Sequence, residues 1–237
     1  MLRRWPAGAP AVHGALMSRP TVTLKLATSL DGRIATGAGE SRWITGEAAR
    51  AEVQKLRTAH DGVLIGVGTA RADDPELLAR TTPPPRRQPV RVVMDTEFSL
   101  APRGRLFDAL DRATLLVIGA ADGDAARRKV LEDAGARTAG VARGPVGIDV
   151  DAALAAMLER GIARVLCEGG GQLAASRIAA EVVDRLEWFR APMVLGGDGR
   201  PGVGALALTS LAAAPRFKRV ALRELGPDIW ESYERVS

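Results

Sequence analysis

The stretch Val165-Leu166-Cys167-Glu168-Gly169-Gly170-Gly171 constrains this chain more than any other. An apolar run stops at an acid and three glycines, and Gln172-Leu173-Ala174-Ala175-Ser176-Arg177-Ile178 then reads as a helix. A strand that hands over to a helix without a Cβ leaves backbone N–H groups bare at a helix N-terminus, where the dipole favours an anion. Glu168 falls at the carboxyl end of that strand, the place where open α/β sheets bind ligands. The spacing is neither GxGxxG nor GxxxxGK[ST], so the two commonest nucleotide signatures are absent. Taken alone, the glycines read more readily as a tight turn than as a phosphate site.

The remainder of the chain sets the architecture. Thr21 to Ala27 alternates apolar and polar residues, which predicts a strand, and Asp31-Gly32 follows as a turn. Thr45 is the expected N-cap of a helix running to about Ala59, with Glu47 in its first turn and Ala49, Val53 and Leu56 on its apolar face. Strands are expected at 62–66, 90–94, 114–118, 163–167 and 185–195, with helices at 124–134 and 151–160. Residues 219–224 and 229–236 read as two closing strands joined by Gly226-Pro227-Asp228. Strands alternating with helices and then strands alone predict an α/β fold. Its mainly parallel central sheet is flanked by helices and carries antiparallel C-terminal strands. Residues 1–20 are expected to form a loose tail and 21–237 a single domain. The proline-rich 81–89 segment, with Arg86 and Arg87, is a surface connection.

Composition excludes several function classes. At 237 residues with 46% hydrophobic and 26% charged, the chain can bury a substantial core. Net charge is +5 and the pI is near 10.1, but the arginines are scattered, and four Phe and one Tyr offer few stacking surfaces. A basic pocket for a small anion is therefore expected rather than a nucleic-acid surface. One cysteine forbids an internal disulfide and fits a reducing, cytoplasmic compartment; with two histidines it argues against a zinc site, and no metal is expected. No apolar run is long enough to cross a membrane.

Several polar residues have two readings each. Lys25 is either the exposed face of a half-buried strand or a functional cation within it. Asp73-Asp74-Pro75 is a turn with an Asx cap or part of a site. Trp43 is a lid over the core or the wall for a planar ring. Glu168 is a helix cap or a ligand-facing carboxylate. Their order in the chain is more specific than any one of them. Leu24-Lys25-Leu26-Ala27-Thr28-Ser29-Leu30-Asp31-Gly32-Arg33 is followed by Gly39-Glu40-Ser41-Arg42-Trp43-Ile44-Thr45 and by Leu56-Arg57. Gly66-Val67-Gly68-Thr69, Ala72-Asp73-Asp74-Pro75, Leu77, Arg80, Val93-Met94-Asp95-Thr96 and Glu168-Gly169-Gly170-Gly171 complete the series.

Over about residues 21–236 this order resembles the reductase domain of the riboflavin-biosynthesis deaminase/reductase family, which has a dihydrofolate-reductase-like fold. The resemblance implies NADPH-dependent reduction of 5-amino-6-(5-phosphoribosylamino)uracil to its ribityl counterpart, with hydride delivered to the ribosyl C1 carbon. It places Ala27, Trp43, Thr69, Asp73, Thr96 and the turn beginning at Gly170, Gly171, Gln172 and Leu173 against the cofactor. It places Ser41, Arg57, Leu77, Arg80 and Glu168 against the substrate, and Lys25 in the chemistry, with Asp73 and Glu168 as further catalytic candidates. Arg71 is added as a candidate for the cofactor 2′-phosphate. Arg57 and Arg80 suit a ribose phosphate because a guanidinium forks onto two oxygens. The H-x-E and P-C-x-x-C pattern of the family's zinc deaminase is missing, so no deaminase activity is expected. A related pterin or dihydrofolate reductase is the alternative. The closing strands suggest an edge that pairs in a homodimer.

Overall fold

The apolar runs assemble side by side as parallel strands. This computed structural model describes residues 18–236, so most of the expected tail lies outside the described residues. The elements run β1 (Thr21–Thr28), β2 (Arg33–Ala35), α1 (Glu47–Ala59), β3 (Gly62–Gly66), α2 (Val67–Asp73), β4 (Val90–Met94) and α3 (Arg105–Asp108). They continue as β5 (Leu115–Ala120), α4 (Ala125–Asp133), β6 (Arg137–Val141), α5 (Val150–Leu158), β7 (Arg164–Cys167), α6 (Gly171–Ala179) and β8 (Arg185–Arg190). β9 (Arg200–Pro201), β10 (Phe217–Leu225) and β11 (Asp228–Arg235) complete the chain.

Nine strands form one sheet in the order β10-β11-β8-β1-β7-β3-β4-β5-β6. From β8 to β6 every pairing is parallel, and β11 and β10 add antiparallel at one edge, as the strand order predicted. β2 and β9 make a separate two-stranded ribbon. The sheet buries both faces, which is why β3 and β5 are continuously apolar. Val22, Leu24, Leu64, Val92, Ile118 and Val165 face one core, while Val63, Ile65, Val93, Leu115 and Val117 face the other. Ala49 and Val53 of α1 pack with Phe189 and Leu225 in a third cluster, so the expected apolar face of that helix is the buried one.

Several local expectations are corrected. The N-cap of α1 is Gly46, not Thr45; Thr45 is buried, and the Gly46 N–H donates to Asp228 Oδ2 at 2.6 Å. A carboxylate from the far end of the chain thus holds the N-cap backbone, and no side chain caps the N–H groups of the first turn. The strand expected at 185–195 ends at Arg190, and the loop beyond is held by Asp31, whose carboxylate accepts from the N–H groups of Leu195 and Gly196. The glycines around Val67 hid the short helix α2. β6 escaped notice because its Thr-Ala-Gly centre has little β propensity; pairing with β5 supplies what the local sequence lacks. At the amino end, Arg19 is not loose: its guanidinium forks onto Asp184, which also accepts from the Val22 N–H.

Arg91, in the middle of β4, is fully buried. It donates to the carbonyls of Leu106, Ala109 and Ala113 at 2.6, 3.1 and 2.6 Å, closing the segment that begins at α3. Burial pulls its pKa down to about 10, so it stays charged at neutral pH. Arg91→Leu leaves three buried carbonyls without their donor. Chemical denaturation should show a loss of roughly 3 kcal/mol, since each orphaned acceptor costs about 1–3 kcal/mol less what relaxation recovers.

Candidate active site

The three glycines after β7 have different jobs, none of them a left-handed backbone. A Cβ on Gly169 would overlap the Leu173 side chain, and one on Gly171 would overlap the Pro201 carbonyl oxygen. Both are demanded by close packing. Gly170 is the exception: its Cβ would meet only Thr69 Oγ1, at 3.4 Å. Its N–H is not bare, as expected, but donates to that hydroxyl at 3.2 Å. This bond ties the β7–α6 turn to α2, which leaves the neighbouring strand β3. Gly66 and Gly68 on that side would meet nothing within 4 Å. Gly170 is the N-cap of α6 and offers it no side-chain cap. The carboxyl ends of β7 and β3 therefore share a Cβ-poor surface beside an uncapped helix N-terminus, a cradle that fits an anionic phosphate group. Thr96 stands two residues beyond β4, the next strand in the sheet.

Beside this cradle the chain gathers its charged residues. β1 and β7 run in register with Leu24 opposite Cys167, which sets Lys25, midway along β1, beside Glu168, the first residue past the end of β7. Arg57, from the last turn of α1, forks onto Glu168: Nε donates to Oε1 at 2.6 Å and Nη2 to Oε2 at 2.8 Å. Its Nη1 donates to the Leu78 carbonyl at 2.9 Å. Both side chains are largely buried, 12% and 8% exposed. Burial pushes the Glu168 carboxyl up, but Arg57, with Lys25 behind it, prevails and holds it below the usual carboxylate range. Burial pulls Lys25 below the ordinary lysine value; Glu168 opposes this and Arg57 adds to it. Lys25 is thus no exposed strand face. Among the described residues no carboxylate lies within ion-pair distance of it.

The structure alters the expectation for Arg57, whose fork grips Glu168 and not open space. Arg80 is the freer cation. Its side chain is 58% exposed, 3.6 Å from Glu76, and it lies two residues from the carbonyl that anchors Arg57. Leu77 buries its side chain in the second core and carries a φ of 54°, so only its backbone is available to a ligand. Leu173 likewise packs inward, whereas Gln172 is exposed. Arg71 turns to Ser99, donating to its carbonyl at 2.9 Å and its hydroxyl at 2.6 Å, which removes the free guanidinium expected for a 2′-phosphate.

Asp73 and Asp74 divide the two readings between them. Asp74 is a cap, accepting from the Arg105 N–H at 2.9 Å across the chain. The carbonyl of Asp73 accepts from Arg42, which fastens the 41–46 loop to α2, and no hydrogen bond or ion pair joins the Asp73 carboxylate to Lys25 or Glu168. Trp43 in that loop is 66% exposed, with the Arg50 guanidinium 4.5 Å from its ring centre, so it is no core lid. Ser41 is half-buried at the start of the loop, and Ala27 packs beneath α1. Sequence reasoning passed over His60, whose Nδ1 lies 2.6 Å from the Leu56 carbonyl and whose Nε2 lies 3.0 Å from Thr23 Oγ1. Thr23 shares a face of β1 with Lys25, and that polar alternation was the available signal.

Comparison with known proteins is consistent across sequence and structure. Residues 20–230 match the family model of the RibD C-terminal domain. The chain is 34% identical over 219 residues to the riboflavin biosynthesis protein RibD of Bacillus amyloliquefaciens, covering 92% of this chain and 58% of that protein. It superposes on RibD of Acinetobacter baumannii with a TM-score of 0.80 and 29% identity, covering 93% of this chain and 59% of that one. The riboflavin biosynthesis reductase Rib7 of Saccharomyces cerevisiae shares the fold at a TM-score of 0.76 and 18% identity, over 94% of this chain and 93% of that one. The chain spans less than two thirds of the length of the RibD relatives it matches.

The forked pair generates a pH-dependent test. The folded pKa of Glu168 lies below its unfolded value, so its stabilisation is complete above that unfolded value and fades as pH falls through the folded one. Arg57→Ala strands a buried carboxylate and should cost about 3–5 kcal/mol at neutral pH. In urea titrations the gap between wild type and variant should narrow on acidification, because protonation removes the stranded charge.

Proposed function

The chain belongs to the RibD C-terminal domain family, and on that premise we propose that it reduces the ribosyl group of 5-amino-6-(5-phosphoribosylamino)uracil to ribityl with NADPH. The observation that carries this reading is the juxtaposition of Lys25 in β1 with Glu168 just past the end of β7, beside the Gly170–Thr69 cradle. NADPH supplies a hydride when bound. The cradle and the N-terminal turn of α6 fit its diphosphate, and Thr69, Thr96, Trp43 and Ala27 lie on the elements around it. The preference for NADPH over NADH follows the resemblance of the sequence, since Arg71 is held by Ser99.

In the overall reaction the bond from C1′ to the sugar-ring oxygen breaks, C1′ gains a hydride and the ring oxygen gains a proton. Lys25 is the group placed to give that proton. Its ammonium is half-buried, and the pKa depression caused by burial makes it a better acid than a lysine in water. Glu168, held on both oxygens by Arg57, keeps lone pairs that accept from the N–H groups of a pyrimidine edge. Arg80 meets the ribose phosphate. We further take the protein to be cytoplasmic, in keeping with its buried Cys167 thiol, and homodimeric through the edge strand β10, where Val220 and Leu222 are exposed.

A second reading, reduction of a pterin or dihydrofolate, is favoured by one feature. With Arg57 gripping Glu168, Arg80 alone of the two arginines expected at the substrate phosphate is left for it. The two separate in one assay: NADPH oxidation followed by absorbance, with the phosphoribosylaminouracil substrate run beside dihydrofolate. Turnover of the ribosyl compound alone is expected; turnover of dihydrofolate alone transfers the site to the second reading. Lys25→Ala should lower kcat by roughly 100-fold or more while leaving NADPH affinity unchanged. Wild-type activity should fall as pH rises through the lowered Lys25 pKa. Arg80→Ala should act chiefly by raising KM, and an effect limited to cofactor affinity would reassign it.

A further inference from the structure

One buried charge has no part in the reading above. Arg177, on α6, is 3% exposed. Its Nη1 donates to Ser176 Oγ at 3.1 Å, its Nη2 is against the Met94 sulfur, and its Nε has no partner. A thioether is a weak acceptor, and among the described residues no carboxylate lies within ion-pair distance. Arg91 shows how this fold otherwise accommodates a buried guanidinium, with three backbone carbonyls as acceptors. Arg177 has no such set. Burial pulls its pKa down, and only the Cys167 thiol opposes the shift.

The head group of Arg177 is also in a particular place. α6 descends from the glycine turn, and helical side chains lean back towards the N-terminus of their helix. The guanidinium accordingly reaches Met94, the last residue of β4, which is in register with Gly66 at the end of β3. Met94 thus ends its strand at the carboxyl edge of the sheet, the same edge at which Gly66 and Gly170 present backbone without a Cβ. We infer that Arg177 is the built-in counter-charge for the diphosphate of the bound dinucleotide, aimed from below at the cradle where α6 begins. The inference rests on the nicotinamide-dinucleotide reading of that cradle. The free protein carries a buried cation without an anion, and the ligand's phosphates supply one from the open side, alongside the N–H groups of the first turn of α6. Arg177 is a binding residue here and takes no part in the chemistry.

The test uses the full chain, wild type and Arg177→Met, with calorimetric titration of NADPH and of inorganic pyrophosphate, and Tm measured with and without each. Removing an uncompensated charge should raise the Tm of the free variant while weakening both ligands by about tenfold or more. Arg177→Lys, which keeps the charge on a smaller head, should bind both at intermediate strength. Should the methionine variant not fold, Arg177→Gln provides the same comparison. A merely structural arginine gives the opposite pattern, a lower Tm with unchanged affinities, and that result overturns the inference. Wild type that binds pyrophosphate but not NADPH removes the nicotinamide reading and keeps the anion site. Wild type that binds neither removes both.

Discussion

The forked pair between Arg57 and Glu168 is the interaction on which the site depends. It joins the last turn of α1 to the end of β7, and through the Leu78 carbonyl it also fixes the segment carrying Leu77 and Arg80. A carboxylate that is 8% exposed is expensive to hold in ionised form, and a single hydrogen bond would not hold it. The bidentate geometry does so and settles which way both oxygens face. Lys25 then has two neighbours of opposite sign, and burial is the larger influence, drawing its pKa below the ordinary lysine value. One ion pair thereby determines carboxylate orientation and loop position.

Most of the fold was legible because local pattern and tertiary environment agree. Continuous apolar runs such as Val63-Leu64-Ile65 and Leu115–Ala120 became strands buried on both faces, and the late pair of strands became the antiparallel edge. What escaped were elements whose support lies elsewhere in the chain. β6 depends on β5, and the start of α1 depends on Asp228, more than 150 residues away in sequence; no local window contains either partner.

The candidate site was legible in its members but not in its partnerships. Residue types and order singled out Lys25, Glu168 and the glycine turn, and the strand register brings Lys25 beside the end of β7, where Glu168 and that turn follow. Which arginine would grip which acid was beyond the sequence, because Arg57 and Glu168 are equally suited to a phosphate and a pyrimidine, or to each other. The glycines divide in the same way. Gly169 and Gly171 answer to packing against Leu173 and Pro201, and Gly170 alone faces the cradle, a distinction that three identical letters conceal. Nothing in the sequence marks Arg177; its burial makes it notable.

The grip of Arg19 on Asp184 has a practical corollary for handling the protein. Asp184 precedes β8 and Val22 begins β1, so this anchor sits at the amino ends of the parallel strands, whereas the cradle sits at their carboxyl ends. By the register of β1 with β7, Val22 lies opposite Val165 and Gly170 follows five residues later, so at about 3.3 Å per residue the two are on the order of 15 Å apart along the strands. A surface linkage or fluorophore attached beside Arg19 would therefore report on the molecule from the pole opposite its ligand, leaving the mouth of the crevice unobstructed.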